Sequence, residues 1–528
     1  QTIAFLGWLK YGNKGSIKSK STIPSSTKRS MEACNHSKPH IIIVPASVLS
    51  NWENEFKKFC PNLSVVKYHG NMNKRLEIQA QLKKCLPTVQ DRKPLDVVLT
   101  TFSYFSSEKA DDRNFLRKFK FDYMIVDEAH CLKNAKGLRY INMDKFSTSH
   151  RLLLTGTPVQ NSPKELMSLL CFLMPLFSQR AHNALDEGGN NGGAHMLEHF
   201  VSLDANSNEK HAYRKLKQLL APFVLRRKKL DVLGQILPPK TRKLELVPFD
   251  EKMRKVYASL LASHVENRKN GTKLATKHLF TSLRKAANHP LLLRSRHTKS
   301  KEIEHLALQL FTGGFFGRDA TCTLKLVRNE LENFSDYDIH CAALDLINEN
   351  PLRAKELERY ILQQDDLFCS PKFDRLRILL PELVKENHRV LIFSQWTKCL
   401  DLLGCLMESI DFKYLRLDGQ TDIAERQHLI DQFNNDSTIP VFLLSTRAGG
   451  MGINLTSADT CILHDLDFNP FNDLQAEDRC HRIGQKRPVT VIKMVTADTV
   501  DASIYSMQER KAKMNEAILE NNDTRNGE

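Results

Sequence analysis

The chain has 528 residues, with 77 lysines and arginines against 61 aspartates and glutamates, a formal net charge of +16 at neutral pH. That length exceeds one hydrophobic core and implies two or three domains, while 41% hydrophobic and 26% charged residues are ordinary for a folded soluble protein. The basic excess favours a polyanionic partner, nucleic acid first. No apolar run is long enough to span a bilayer, so a membrane is not among the expected partners.

The 12 cysteines are scattered without a C-x-x-C pair, which argues against a zinc ribbon or a thioredoxin-like motif. Several sit inside apolar patterns as small hydrophobes, a usage that fits a reducing compartment, cytosol or nucleus.

Taken in order, residues 2–9 read as a helix with Ile3, Leu6 and Leu9 on one side. Residues 12–38, rich in Ser, Lys and Asn, read as a solvated loop insertion. Strand-like runs follow at His40–Val44, Leu95–Thr100, Phe121–Val126 and Arg151–Leu154, with helical stretches at Ser50–Cys60 and Asn73–Cys85. Such alternation predicts a parallel sheet covered by helices. Residues 186–210 are polar and Gly/Asn-rich, a loop; 250–370 read mainly as helices; Pro238-Pro239 and Cys369-Ser-Pro-Lys372 mark plausible boundaries. A second alternating set runs through Arg389–Phe393, Tyr414–Leu417, Val441–Leu444, Thr460–Leu463 and Val489–Val495. The expected organisation is a first lobe over 1–240, a helical protrusion over 241–370 and a second lobe over 371–528.

Two motifs point to nucleotide chemistry. Asp127-Glu128-Ala129-His130 directly follows the run Phe121–Val126, and two carboxylates at the end of a buried strand can hold Mg²⁺ and orient a water. More than 300 residues later, Gln475-Ala-Glu-Asp-Arg479-Cys-His-Arg482-Ile-Gly-Gln485 supplies arginines about one helical turn apart. Paired guanidinium groups suit the charge that builds on a γ-phosphate. Between them, Ser445-Thr-Arg-Ala-Gly-Gly-Met-Gly452 follows a strand, and its glycines, Gly450 and Gly452 among them, let backbone N–H groups approach a phosphate. Thr155-Gly-Thr157-Pro, one strand after the acidic pair, is a candidate for coupling hydrolysis to movement. Asp127-Glu128 as a mere helix-capping pair is the weaker reading, given the apolar run before it. Arg226-Arg-Lys-Lys229 reads as a solvated basic cluster, a nuclear localisation signal or a phosphate contact. His289, His464 and His481 have no metal-ligand spacing and read as packed or polar histidines.

These residues, in this order, resemble the SWI/SNF-type ATPases of the DEAD/DEAH helicase superfamily. The matching blocks are Ile43–Trp52, Thr100–Tyr104, Asp127–Asn134, Leu153–Asn161, Arg284–Pro290, Val390–Gln395, Arg416–Thr421, Ser445–Gly452 and Asp465–Gln485. Their spelling is most similar to the SMARCAD-type remodellers, although Phe468 stands where many relatives have tryptophan. The resemblance implies two RecA-like α/β lobes with a helical insertion and a C-terminal helix, about 500–520, that braces them. It implies a nuclear, ATP- and Mg²⁺-dependent translocase on double-stranded DNA that remodels nucleosomes, with histones as partners and DNA repair as one setting. By matching position, Asp127 would hold Mg²⁺, Glu128 would activate water, and Gln475 would sit near the nucleotide. Arg479 and Arg482 would act as arginine fingers, and His130, Thr155 and Thr157 would couple nucleotide state to movement. Ser47, Thr101, Ser394, Thr446 and Arg447 would hold DNA phosphates, gripping backbone rather than reading sequence.

In such ATPases a Gly-x-Gly-Lys-Thr phosphate loop is expected just upstream of Gln1. The sequence is therefore expected to be an N-terminally truncated piece with little ATP hydrolysis of its own. Strand edges next to the missing strand are expected to be unpaired. A strand-separating helicase and a non-catalytic nucleic-acid-binding scaffold stand as alternatives.

Overall fold

The computed structural model of the chain describes residues 1–12, 38–86, 89, 93–156, 163–174, 221–225, 227, 229–269, 275–317, 322–449 and 452–520. The insertion expected over 12–38 and the polar stretch 186–210 lie outside or almost wholly outside them, as do Thr157, Gly450, Arg226 and Lys228. Two compact units emerge, Gln1–Arg227 and Lys228–Glu528.

The first unit is built on five parallel strands: β1 (His40–Val44), β2 (Val65–Tyr68), β3 (Val97–Thr101), β4 (Phe121–Val126) and β5 (Thr148–Leu153), in the order β2-β3-β1-β4-β5. β1 and β3 are buried along their whole length, as strands covered on both faces must be. One face packs Ile41, Ile43, Val98, Met124 and Val126 among phenylalanines; the other packs Ile42, Val44, Leu99 and Ile125 against Ile3 and Leu6 of the first helix, Thr2–Tyr11. The strand that leads into the acidic pair is not an edge, because β4 lies between β1 and β5. The outer strand on that side is β5, where Ser149 and His150 are exposed.

The second unit carries six parallel strands: β6 (Lys240–Val247), β7 (Val390–Ser394), β8 (Tyr414–Leu417), β9 (Val441–Ser445), β10 (Thr460–Leu463) and β11 (Val489–Thr496), in the order β6-β11-β10-β7-β9-β8. Two parallel sheets covered by helices are the α/β class expected from the alternating pattern. The segment expected as a helical protrusion over 241–370 opens with β6, which pairs residue by residue with β11, before the mainly helical stretch read from 250. Its sequence, Lys-Thr-Arg-Lys-Leu-Glu-Leu-Val, is polar and mostly exposed because it is an edge strand, so the apolar signal of a strand is weak there. Beyond it, the helices Ser300–Gly313, Leu324–Leu331 and Asp336–Glu349 bury a small core of their own around Leu306, Leu310, Ile339 and Leu346. The C-terminal helix Val500–Glu520 packs on β11 and on the helix Ala275–Asn288.

Candidate active site

In the first unit the candidate residues collect at the carboxyl edge of the sheet, where parallel α/β sheets place their ligand sites. Register aligns Ile43 with Val126 and Val44 with Thr101, so the turns after β1, β3 and β4 leave the sheet at one level. Asp127 N–H donates to Ile43 O (2.9 Å). Its carboxylate accepts from Trp52 Nε1 at 2.8 Å and from the Glu128 backbone N–H at 2.9 Å. Burial pushes the Asp127 pKa up, the Trp52 bond opposes that shift, and the neighbouring Glu128 charge adds to it. Trp52 was not singled out from sequence, because nothing in its own helix shows that it reaches a carboxylate 75 positions away.

Glu128 adopts φ 51° and ψ 51°, the left-handed region. The other non-glycine residues with positive φ among the described residues are Asn387, Asp411 and Asp498, the short polar types that tolerate it. A long side chain held there signals local strain of the kind stored at functional sites. His130 Nδ1 lies 3.2 Å from Glu128 Oε2, near enough for an ion pair. The alignment is not that of a hydrogen bond, and both atoms are buried without such a partner. Ala129 N–H donates to Leu154 O and Leu154 N–H to Val126 O, which lays the segment entering Thr155 alongside this turn. Ser47, on the turn after β1, has a buried and unpartnered Oγ. Thr101 ends β3 with its hydroxyl 2.7 Å from Ser103 Oγ.

The second unit also gathers its candidates at one sheet edge, with Ser394 and Ser445 in register at the ends of β7 and β9. Ser394 is buried, and its hydroxyl donates to Asp465 Oδ2 at 2.5 Å and accepts from the Trp396 N–H at 3.2 Å. Thr446 is buried, whereas Arg447 beside it is exposed. Gly449 packs so closely that a Cβ would come within 2.8 Å of Phe393 Cε1, which explains a glycine there. Gly452 takes φ 66°, a conformation open to glycine, and turns its carbonyl toward Arg482 Nη1 at 3.2 Å. Ile453 O lies 3.4 Å from Arg482 Nη1 and 3.5 Å from Arg479 Nη1, and Arg479 Nε donates to Gln475 O at 2.9 Å. The structure therefore brings Gln475, Arg479, Arg482 and Gly452 together in one turn. Gln485 locks that turn: its Nε2 donates to Ala458 O and Cys480 O, and its Oε1 accepts from the N–H groups of Lys486 and Arg487.

The three histidines are packed. His289, fully buried, donates through Nε2 to Leu367 O and accepts the Leu291 N–H at Nδ1, and burial depresses its pKa to about 3. Burial likewise drives His464 well down, and His481 bonds to Pro238 O. Beside His464, Lys372 is completely buried and donates to Asn288 Oδ1, His464 O and Asp501 Oδ2 at 2.7–2.8 Å. Arg284 lies 4.9 Å over the Phe468 ring and donates to Leu466 O. Sequence reasoning assigned roles to neither Lys372 nor Arg284.

With this geometry in place, the likeness to known proteins is specific. The SNF2-related domain matches residues 1–292, and the helicase conserved C-terminal domain matches residues 371–484. A mouse protein, the SWI/SNF-related matrix-associated actin-dependent regulator of chromatin subfamily A containing DEAD/H box 1, is 38% identical over 97% of the chain and 46% of its own length. Arabidopsis Protein CHROMATIN REMODELING 19 is 38% identical over 91% of the chain and 62% of its own length. The crystal structure of the C-terminal part of the Fun30 ATPase domain is 31% identical, with a TM-score of 0.46, over 52% of this chain and 89% of that one. The chain thus spans about half the length of the mouse relative it matches. It belongs to the SNF2-related family of helicase-like ATPases, among the SWI/SNF-related DEAD/H box chromatin regulators.

Proposed function

We propose that the chain is the motor of an ATP- and Mg²⁺-dependent translocase on double-stranded DNA that remodels nucleosomes in the nucleus, with histones among its partners. The observation that carries this reading is the Asp127–Glu128 turn. Trp52 and two backbone groups fix Asp127, while Glu128 holds, on a strained backbone, a buried oxygen that makes no hydrogen bond and faces His130 Nδ1 at 3.2 Å. An acceptor-only carboxylate oriented in this way fits a divalent cation, and Asp127 would hold it. The metal–nucleotide complex would supply charge neutralisation on the transferred phosphoryl group.

Each residue of the chain then has a definable task. Glu128 orients the attacking water, and His130, 3.2 Å away, senses its charge. Arg479 and Arg482 neutralise developing phosphoryl charge, and Gln475 reaches the nucleotide with the backbone around Gly450 and Gly452. Thr155 and Thr157 pass the nucleotide state onward. On DNA, the exposed Arg447 makes the direct phosphate contact, with Ser47 at the edge of the first sheet. Thr101, Ser394 and Thr446, being buried, act by shaping the loops that present such contacts.

The test uses the full-length protein that contains this chain. Glu128→Gln should lower DNA-stimulated ATP hydrolysis by roughly 10²-fold or more while nucleotide and DNA binding persist. Unchanged turnover or remodelling in that variant would support the scaffold reading instead. Release of one strand from a duplex by the wild-type protein would favour a strand-separating helicase over a duplex translocase.

A further inference from the structure

The five residues His464–Phe468, between β10 and the helix Pro470–Glu477, form a loop held by side chains from several helices. Four of their carbonyls accept from side chains of three separate helices. Lys372, on Pro371–Lys385, donates to His464 O at 2.7 Å, and Arg284, on Ala275–Asn288, donates to Leu466 O at 2.8 Å. The C-terminal helix supplies the other two: Gln508 Nε2 donates to Asp467 O, and Lys511 Nζ donates to Phe468 O at 3.1 Å. Gln508, 2% exposed, also donates to Asp473 Oδ2 at 2.6 Å. Asp473 lies on the helix that carries Gln475, whose carbonyl in turn accepts from Arg479 Nε at 2.9 Å.

We infer that Gln508 is a positioning residue for the Arg479–Arg482 turn, so that the C-terminal helix sets the catalytic competence of the second unit from outside the nucleotide site. The consequence for catalysis rests on the ATPase reading above; the mechanical link does not. Exposed backbone carbonyls in a loop are ordinarily satisfied by water, and water imposes no position. Here the partners are side chains on rigid helices, so displacement of the C-terminal helix withdraws two straps and frees Asp473 together. Any event that pulls this helix away slows turnover without touching nucleotide or DNA.

Gln508→Met in the full-length protein keeps the side-chain length and removes both donors. It should lower DNA-stimulated kcat about tenfold, with the KM for ATP and the Kd for duplex DNA within about twofold of wild type. Amide exchange over residues 479–485 should accelerate about tenfold while β9 and β10 stay protected. Lys511→Met, at an exposed position, carries no risk to folding and should shift both readouts the same way by about twofold to threefold. Unaltered exchange over 479–485, or an equal rise throughout the second unit, overturns the inference. If the wild-type protein hydrolyses no ATP but Gln508→Met still loosens 479–485 selectively, the positioning role stands and the ATPase reading falls.

Discussion

The two half-sites of the chain differ in how they hold their charged groups. Around Asp127 and Glu128, Glu128 Oε2, His130 Nδ1 and Ser47 Oγ are buried without hydrogen-bond partners, the first two facing each other as an ion pair at 3.2 Å. Around Arg479, Glu477 Oε1 and His481 Nδ1 are also buried without hydrogen-bond partners, but the arginines themselves are anchored, with guanidinium groups directed at carbonyls of the Gly452–Ile453 turn and Gln485 making four hydrogen bonds. Unpaired buried polar atoms are costly, so a fold keeps them where a ligand completes them. Arginines anchored in this way hold their geometry before a ligand arrives, which is how preorganised charge lowers a barrier. The first half-site thus carries its unmet atoms on a strained turn; the second holds its arginines in a preset geometry.

Order at the second half-site is most exposed to loss at Lys372. Its ammonium is 0% exposed and makes three hydrogen bonds, one of them an ion pair with Asp501. Lys372→Met fills the same space and strands the buried Asp501 carboxylate, at a cost of about 3–5 kcal/mol. Urea unfolding followed by hydrogen exchange should show the second unit losing that much while β1 and β4 of the first unit keep their protection. A loss below about 1 kcal/mol would mean the knot is no firmer than a surface pair.

How far the contrast was legible in the sequence depends on where each partner comes from. β1, β7 and β9 are buried along their whole length, so their unbroken apolar runs announced them, and with them the turns they feed. β6 lies at a sheet edge, mostly exposed and carrying lysines and an arginine, and such a polar strand has no comparable signal; β2 is only four residues long, too short a run to stand out. The acidic pair and the arginine pair were legible because each is local. Their supports were not: Trp52 reaches Asp127 across 75 positions and Lys372 reaches Asp501 across 129. Ser-Pro-Lys372 read as a boundary, because a lysine is seldom fully buried unless it is paired, and the pairing appears only in three dimensions.

Protonation separates the groups within the second unit. Burial raises the pKa of Asp473 to about 8, the Gln508 bond opposing the shift, while an unfolded aspartate titrates near 4. Between those values the folded chain holds a proton that the unfolded chain lacks, so stability from this group falls as pH rises through the window. His289 runs the other way. Its folded pKa of about 3 lies below the ordinary 6.5, so its stabilisation is complete above pH 6.5 and is lost as pH falls toward 3. His464 adds to the same trend. On acidification from about pH 7 to about pH 5, Asp473 offsets part of the histidine loss. Asp473→Asn removes that offset, so the variant should lose about 2 kcal/mol more than wild type across the same interval, read by urea unfolding at the two pH values. Parallel pH profiles would show that Asp473 is not held protonated.

The smallest effect tests strain at the first half-site. Left-handed backbone costs a non-glycine residue about 1–2 kcal/mol, and glycine returns about 0.5–1 kcal/mol of that through its unfolded-state entropy. Glu128→Gly also removes the charge that adds to the burial-driven rise of the Asp127 pKa. The first unit should therefore gain up to about 1 kcal/mol, a rise of a few degrees in its melting temperature, even as ATP turnover is lost. Asp411, at φ 55° on an exposed turn outside either half-site, is the comparison. Asp411→Gly relieves less strain, because aspartate tolerates the conformation, and should leave turnover unchanged. If Glu128→Gly destabilises the first unit instead, the left-handed turn is a relaxed feature of the strand end, and strain does not distinguish the first half-site from the second.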